Sequence, residues 1–130
     1  MKMIIGGAFQ GKRAYGESLY ADIEWSNGEE CSFDEIKTCR GIYNFHKYIL
    51  RIMKEEKEDE YLDILRRLPE INPELVLISE EIGYGLVPMD PFERRYREQV
   101  GRICTSLAAA SDRVDRVICG IGTVIKGKEL

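Results

Sequence analysis

The stretch that decides the fold reads Leu75-Val76-Leu77-Ile78-Ser79-Glu80-Glu81-Ile82-Gly83-Tyr84-Gly85-Leu86-Val87-Pro88. It opens with four apolar residues between a proline and glycines, which predicts a β-strand over residues 75–79 that is buried on both faces. Two carboxylates, Glu80 and Glu81, follow at the end of this strand. Beyond them, Gly83 and Gly85 permit backbone conformations that other residues resist. Because open parallel α/β sheets bind ligands beyond the carboxyl ends of their strands, a site is expected at this edge.

A long amphipathic helix is predicted from Pro91 onward. Residues 90–93 supply a capping aspartate, a proline at the first helical position and an acid at the third. The apolar face, expected to pack in the core, consists of Phe92, Tyr96, Val100, Ile103 and Leu107. The arginines of this helix are Arg94, Arg95, Arg97 and Arg102. They either solvate the surface, or bind substrate phosphate or reach a neighbouring subunit's site. Arg95 and Arg102 are the candidates for the phosphate role.

The N-terminal segment has the pattern of a phosphate-binding loop. Residues 3–5 predict a first strand, and the loop after it reads Gly6-Gly7-Ala8-Phe9-Gln10-Gly11-Lys12-Arg13. This is Gly-x-x-x-x-Gly-Lys between a strand and a helix, where backbone N–H groups converge on phosphate oxygens. Lys12 is expected to reach the β- and γ-phosphates of a nucleotide. Arg13 stands where Ser or Thr usually helps to hold Mg²⁺, so ordinary metal binding is less expected than phosphate binding.

Short elements are predicted between these two segments. They are a helix over residues 13–21, a strand over 22–25 with a turn at 26–28, a helix over 32–41, a helix over 44–53 and a helix over 61–68. Asn44 is expected to cap the helix over 44–53, which places His46 in its first turn. His46 is then either a surface or capping histidine, or one that faces a substrate.

Composition describes one ordinary folded domain over residues 1–130. Nineteen basic and 23 acidic residues give a net charge of −4, which argues against non-specific nucleic-acid binding. No apolar run has the roughly 20 residues of a transmembrane helix, and the glycine loop begins too early for a secretory signal. A cytoplasmic location is therefore expected. The four cysteines and one histidine have neither zinc-site nor disulfide-framework spacing, so no metal ligands are predicted.

The chain resembles the bifunctional adenosylcobinamide kinase/adenosylcobinamide-phosphate guanylyltransferase family of cobalamin biosynthesis. Residues 81–88 are similar to that family's Glu-Val-Gly-x-Gly-Ile-Val-Pro signature. The likeness continues through residues 94–97, 100–102, 107–110 and 120–126. It also includes the N-terminal loop in part, and it fades between the loop and the signature.

The resemblance implies phosphoryl transfer from ATP or GTP, with Mg²⁺, to the hydroxyl of adenosylcobinamide. It implies that Lys12 and Glu81 are catalytic, with Glu81 orienting the acceptor hydroxyl or the metal. The alternative is that Glu81 is a surface acid or a structural acceptor for the glycine-loop amides. Glu80 replaces a residue that is usually polar and neutral. Because adjacent strand residues point to opposite faces, the two acids are not expected to serve one site.

The family's guanylylated histidine lies in an insert with a His-x-x-x-Arg-Pro motif, which is missing here. Guanylyl transfer is therefore expected to be absent, and that role is not carried over to His46. Family members are described as trimers, which implies a homo-oligomer. The alternative to a kinase is a catalytically degenerate module that binds a nucleotide or a corrinoid.

The expected fold class is α/β, with a mostly parallel single-layer sheet and helices on both faces. It is a P-loop NTPase-like (RecA-like) three-layer sandwich. Its strands are expected near residues 3–5, 75–79, 114–119 and 123–126.

Overall fold

The computed structural model describes residues 1–82 and 90–128 and shows one six-stranded sheet. The strands are β1 (Lys2–Gly6), β2 (Trp25–Asn27), β3 (Gly41–Tyr43), β4 (Val76–Glu80), β5 (Arg113–Ile118) and β6 (Ile121–Lys126). Their order is β2-β3-β4-β1-β5-β6. Every neighbouring pair is parallel except the antiparallel hairpin of β5 and β6. The predicted α/β class with a mostly parallel sheet is confirmed.

Helices cover both faces of this sheet. They are α1 (Lys12–Leu19), α2 (Phe45–Lys54), α3 (Glu58–Arg66), α4 (Leu68–Ile71) and α5 (Pro91–Ala110), with a 3-10 helix at Phe33–Lys37. On one face, Gly16 of α1 lies close to Ile4 and Ile78, so that a Cβ at Gly16 would come within 2.7 Å of Ile78. The other face carries the larger core, to which the remaining helices contribute. Over the described ranges, no helix is long and apolar enough to cross a membrane.

The stretch that decides the fold behaves as predicted up to its last described residue. β4 lies between β3 and β1, and its residues 76–79 are buried. The predicted helix over the C-terminal half is α5, and the Asp90 side chain accepts a hydrogen bond of 2.9 Å from the Phe92 N–H. The predicted stripe is buried at Tyr96, Val100, Ile103 and Leu107. The predicted role of Gly83 and Gly85 falls outside the described residues.

The prediction for the sheet edge that β2 and β3 form was wrong in two places. The strand expected over 22–25 lies instead at Trp25–Asn27, and Gly41–Tyr43 forms a strand that the sequence did not predict. Gly41 was taken as the end of a helix, but it pairs with Trp25 in the parallel ladder. The Trp25 ring packs against Gly41 so closely that a Cβ at Gly41 would lie 2.6 Å from the ring. The glycine is therefore required by strand packing.

Two predicted helix starts also need correction. The helix expected over 32–41 is a single short 3-10 segment, and the Ser32 side chain makes no capping hydrogen bond. Asn44 precedes α2 but does not cap it with its side chain. With φ at 56°, Asn44 adopts a left-handed conformation, and its amide donates to Oδ1 of Asn27 at 3.1 Å. The asparagine joins the carboxyl ends of β2 and β3.

Candidate functional site

The glycine loop connects β1 to α1, as the sequence predicted. Lys12 is the first residue of α1, and its Nζ donates a hydrogen bond of 2.7 Å back across the loop to the carbonyl of Gly7. Gly11 has a φ of 87°, which favours glycine, and a Cβ there would lie 3.2 Å from Gly120. Lys12 thus bridges the loop to Gly7, and Gly11 packs against Gly120.

The loop is also fastened to the turn between β5 and β6. Gln10 accepts two hydrogen bonds of 2.7 Å, one at its side-chain oxygen from Cys119 N–H and one at its carbonyl from Gly120 N–H. Phe9, the residue before it, is fully exposed at the tip. At the other end, the Arg13 guanidinium lies 4.0 Å from the centre of the Tyr43 ring and pairs with Glu17. Arg13 therefore extends towards the carboxyl end of β3.

Glu81 follows β4 and is bound by an arginine that the sequence analysis did not single out. Nε and Nη2 of Arg116 donate to its two carboxylate oxygens at 2.8 and 3.0 Å. Arg116 belongs to β5, and both residues line an open cavity of about 290 Å³ with Gly7, Gln10 and Ile118. The charged residues Asp115 and Arg116, between the apolar residues Val114 and Val117, were the signal that could have identified it.

Glu80 ends β4 and contacts His46 instead. Glu80 pairs with Gly6 in the sheet, so its backbone lies directly beside the start of the loop. Its N–H donates to Nδ1 of His46 at 3.3 Å, and its Oε2 lies 3.4 Å from Nε2 of the same ring. His46 is only 5% exposed, so the first of its two predicted alternatives, a surface histidine, is wrong. Burial lowers the pKa of His46, although the charge of Glu80 opposes that shift.

Both carboxylates act electrostatically on Lys12. Burial lowers the pKa of the Lys12 ammonium group, and the negative charges of Glu80 and Glu81 raise it. The two acids have different side-chain partners, as their alternation on the strand requires. Both nevertheless lie close enough to Lys12 to raise the pKa of its ammonium group. The carboxyl edge of β1, β4 and β5 thus brings together one lysine, two glutamates, an arginine and a buried histidine.

The two candidate arginines of α5 are held elsewhere. Nη2 of Arg95 lies 3.5 Å from Glu58 of α3, and its guanidinium is 5.6 Å from the Phe92 ring. Arg102 pairs with Glu98 one turn away on the exposed surface of α5. Within residues 1–82 and 90–128, no contact connects either arginine to the glycine loop.

The residues present do not fit a protein-bound Mg²⁺ of the usual kind. Arg13 offers no hydroxyl ligand, and both oxygens of Glu81 accept hydrogen bonds from Arg116. Among the described residues, no group of three or more His, Cys, Asp or Glu side chains could hold a metal ion. Two cationic side chains lie at the loop instead: Lys12 bonds to Gly7, and Arg116 lines a cavity with Gly7 and Gln10.

Comparison with known proteins agrees with this architecture. The family model described as cobinamide kinase / cobinamide phosphate guanyltransferase matches residues 37–125. The bifunctional adenosylcobalamin biosynthesis protein CobU of Salmonella typhimurium strain LT2 is 35% identical over 74 residues, which are 57% of this chain and 41% of that protein. CobU of Escherichia coli K12 is 42% identical over 52 residues, 40% of this chain and 29% of that protein.

A third relative covers a similar share. It is the bifunctional adenosylcobalamin biosynthesis protein CobP of Pseudomonas aeruginosa strain PAO1, which is 31% identical over 67 residues, 52% of this chain and 39% of that protein. The chain therefore matches about two fifths or less of the length of these curated relatives.

A parallel α/β sheet with a glycine loop between its first strand and first helix defines a protein of the P-loop NTPase-like fold class. Within that class, the chain belongs to the cobinamide kinase / cobinamide phosphate guanyltransferase family.

Proposed function

We propose that this protein binds ATP or GTP at the loop of residues 6–13 and transfers the γ-phosphoryl group to the hydroxyl of an adenosylcobinamide-like corrinoid. The observation that carries this proposal is the position of Lys12, which begins α1 beside two carboxylates and Arg116 at one edge of the sheet. Phosphoryl transfer depends mainly on positioning and on charge stabilisation, and these residues supply both. The corrinoid comes from the family relationship alone.

Two further parts of the proposal rest on the comparison with the family. The protein forms a homo-oligomer such as a trimer, and it lacks the guanylyl-transfer half. A cytoplasmic location is also proposed, from the sequence alone. Mg²⁺ enters the proposal only as a counter-ion that the triphosphate brings, because the described residues do not form a metal site. The direct test is to incubate the protein with adenosylcobinamide and radiolabelled ATP or GTP, and to measure phosphorylated and guanylylated product separately.

The second candidate is a binding module without catalysis, which the position of Arg13 favours. Arg13 stands where kinases of this class have a Ser or Thr, so the hydroxyl that helps to hold Mg²⁺ is missing. Isothermal titration with ATP and GTP, with and without Mg²⁺, separates the two. Magnesium-dependent binding with product formation supports the kinase, and binding without turnover supports the module.

Replacing Lys12 with alanine is expected to weaken triphosphate binding at least about tenfold. A charge-assisted hydrogen bond to phosphate contributes about 1.5–3 kcal/mol, and the variant loses it. Lys37→Ala, which removes a half-exposed lysine paired with Asp34, is the matched control. Titration calorimetry measures both affinities, and equal affinity in the two variants would remove the phosphate-loop assignment.

The protein is expected to form no covalent GMP adduct when it is incubated with GTP. His46 is buried, and both ring nitrogens face Glu80, so neither is presented to a nucleotide phosphate. Intact-mass spectrometry after incubation measures this directly. A GMP adduct that disappears in His46→Ala would show that guanylyl transfer is retained in this chain.

A further inference from the structure

Of the two acids beyond β4, Glu80 has the more accessible carboxylate. Its side chain is 30% exposed, whereas that of Glu81 is 13% exposed. Both oxygens of Glu81 accept hydrogen bonds from Arg116, so each already has a partner within the protein. Glu80 has one oxygen facing His46 and lies beside the first residue of the loop. The carboxylate that a second substrate can reach is therefore that of Glu80.

His46 fixes the position of this carboxylate. Because a backbone N–H can only donate, Nδ1 of His46 must be the acceptor of the bond from Glu80, and Nε2 then carries the proton of the neutral ring. Nε2 lies 3.4 Å from Glu80 Oε2. The Tyr96 hydroxyl donates to the His46 carbonyl at 3.0 Å and ties the first turn of α2 to α5. The bond from Glu80 N–H thus sets the tautomer of the ring, and Tyr96 anchors the backbone that carries it.

We propose that Glu80 is a catalytic residue that accepts the proton of the acceptor hydroxyl, and that His46 is the positioning residue that holds it. This inference rests on the proposed phosphoryl transfer and assigns the proton to a residue specific to this chain. Glu81 is left to orient Arg116.

The proposed step transfers one phosphoryl group and one proton. The O–H bond of the acceptor breaks, its oxygen forms a bond to the γ-phosphorus, and the bond from that phosphorus to its bridging oxygen breaks. The nucleoside diphosphate leaves with the bonding electron pair. The proton passes to the Glu80 carboxylate and from there to water, while His46 keeps its Nε2 proton throughout.

Kinetics of Glu80→Gln test the assignment. Its kcat is expected to fall by about 10²–10⁴, the usual range for a positioned general base, while the nucleotide Kd changes less than about threefold. Glu70→Gln, at a side chain that is 78% exposed on α4, is the matched control and should match the wild type. A wild-type kcat in Glu80→Gln overturns this inference alone. A wild-type protein that phosphorylates no corrinoid overturns the proposed function as well.

Substitution of His46 tests the positioning role. His46→Ala is expected to lower kcat about 10–100-fold, because a misplaced group loses catalytic geometry. His46→Gln keeps an N–H that can point at Glu80 and should recover part of that loss. A glutamine variant no better than alanine, with both variants folded, contradicts the positioning role of His46.

Because the chain has one histidine, nitrogen NMR reports on the pair without any need for turnover. The neutral Nε2–H tautomer is expected, with a pKa below the ordinary value for histidine. The charged groups around the ring are Glu80, Lys12, Lys47 and Glu29. Removing the Glu80 charge should lower the histidine pKa further. The Nδ1–H tautomer, or a histidine pKa that Glu80→Gln leaves unchanged, overturns the pairing.

Discussion

Glu81→Gln is expected to lower the turnover of phosphoryl transfer by about 10²–10³, the usual effect of losing one charge-stabilising donor, while the protein remains folded. The carboxylate holds Arg116 by two hydrogen bonds beside the cavity that Gly7 and Gln10 line. A glutamine amide would place an N–H₂ group against an arginine N–H donor, so the guanidinium must move. We propose that Arg116 neutralises charge on the transferring phosphoryl group, and the movement removes that contribution.

A measurement of stability distinguishes this role of Glu81 from a purely structural one. Arg116 is 42% exposed, so its charge reaches water when its partner is lost, and the variant is expected to lose no more than about 1 kcal/mol of stability. A structural hydrogen-bond acceptor would instead cost about 1–3 kcal/mol, and activity would follow the folded fraction. Thermal melts and phosphorylation rates from one preparation distinguish the two. Glu98→Gln, which breaks the exposed pair with Arg102, is the control.

The same experiment can show whether Glu81 acts through Arg116. If the two residues work as a unit, adding Arg116→Ala to Glu81→Gln should cost little more than either change alone. Independent losses that multiply would assign Glu81 a direct role in orienting the acceptor hydroxyl or a metal ion. A destabilised Glu81→Gln with normal specific activity would show that Glu81 has a structural role only.

Asp115→Asn is expected to destabilise the fold by about 3–5 kcal/mol, because it leaves a buried arginine without its negative partner. Asp115 is fully buried in β5, and Arg113 is 4% exposed. Nε and Nη2 of Arg113 donate to the aspartate at 2.7 and 2.9 Å, and the Tyr15 hydroxyl of α1 donates to it as well. Since domains are stable by about 5–15 kcal/mol, this loss is a large share of the total.

Urea denaturation followed by circular dichroism measures this effect. Asp63→Asn removes an aspartate that is 71% exposed and should change stability little. Tyr15→Phe removes one hydrogen bond and should cost about 1 kcal/mol. An Asp115→Asn protein as stable as the Asp63→Asn control would contradict the importance of the buried pair.

The pH dependence of the wild type provides a second comparison. Burial alone would raise the pKa of Asp115, but the hydrogen bonds from Arg113 and Tyr15 lower it below the ordinary value. A carboxyl group whose pKa is lower in the folded state stabilises the fold above its unfolded pKa of about 3.9. That stabilisation is lost as the pH falls through the folded value. Asp115→Asn should lack this part of the acid sensitivity.

Patterns among residues close together in the sequence were enough to predict the strand, the helix and the loop that form the site. Four successive apolar residues identified β4, a capping aspartate and proline identified the start of α5, and the glycine pattern identified the loop before Lys12. Each signal depends on residues that are neighbours along the chain or one helical turn apart. The sequence could therefore indicate that Glu80, Glu81 and the loop lie at carboxyl ends of strands.

Only the tertiary structure decided which side chains meet at that edge. Glu81 and Arg116 are 35 residues apart, and Glu80 and His46 are 34 apart, so no local periodicity reports their contact. Their pairing follows from the strand order, which places β1 between β4 and β5 and seats α2 at the end of β4. The three-residue strand β3 was not predicted from the sequence, for the same reason. Its strand conformation comes from the ladders with β2 and β4 and from the Trp25 ring over Gly41, contacts that exist only once the sheet has formed.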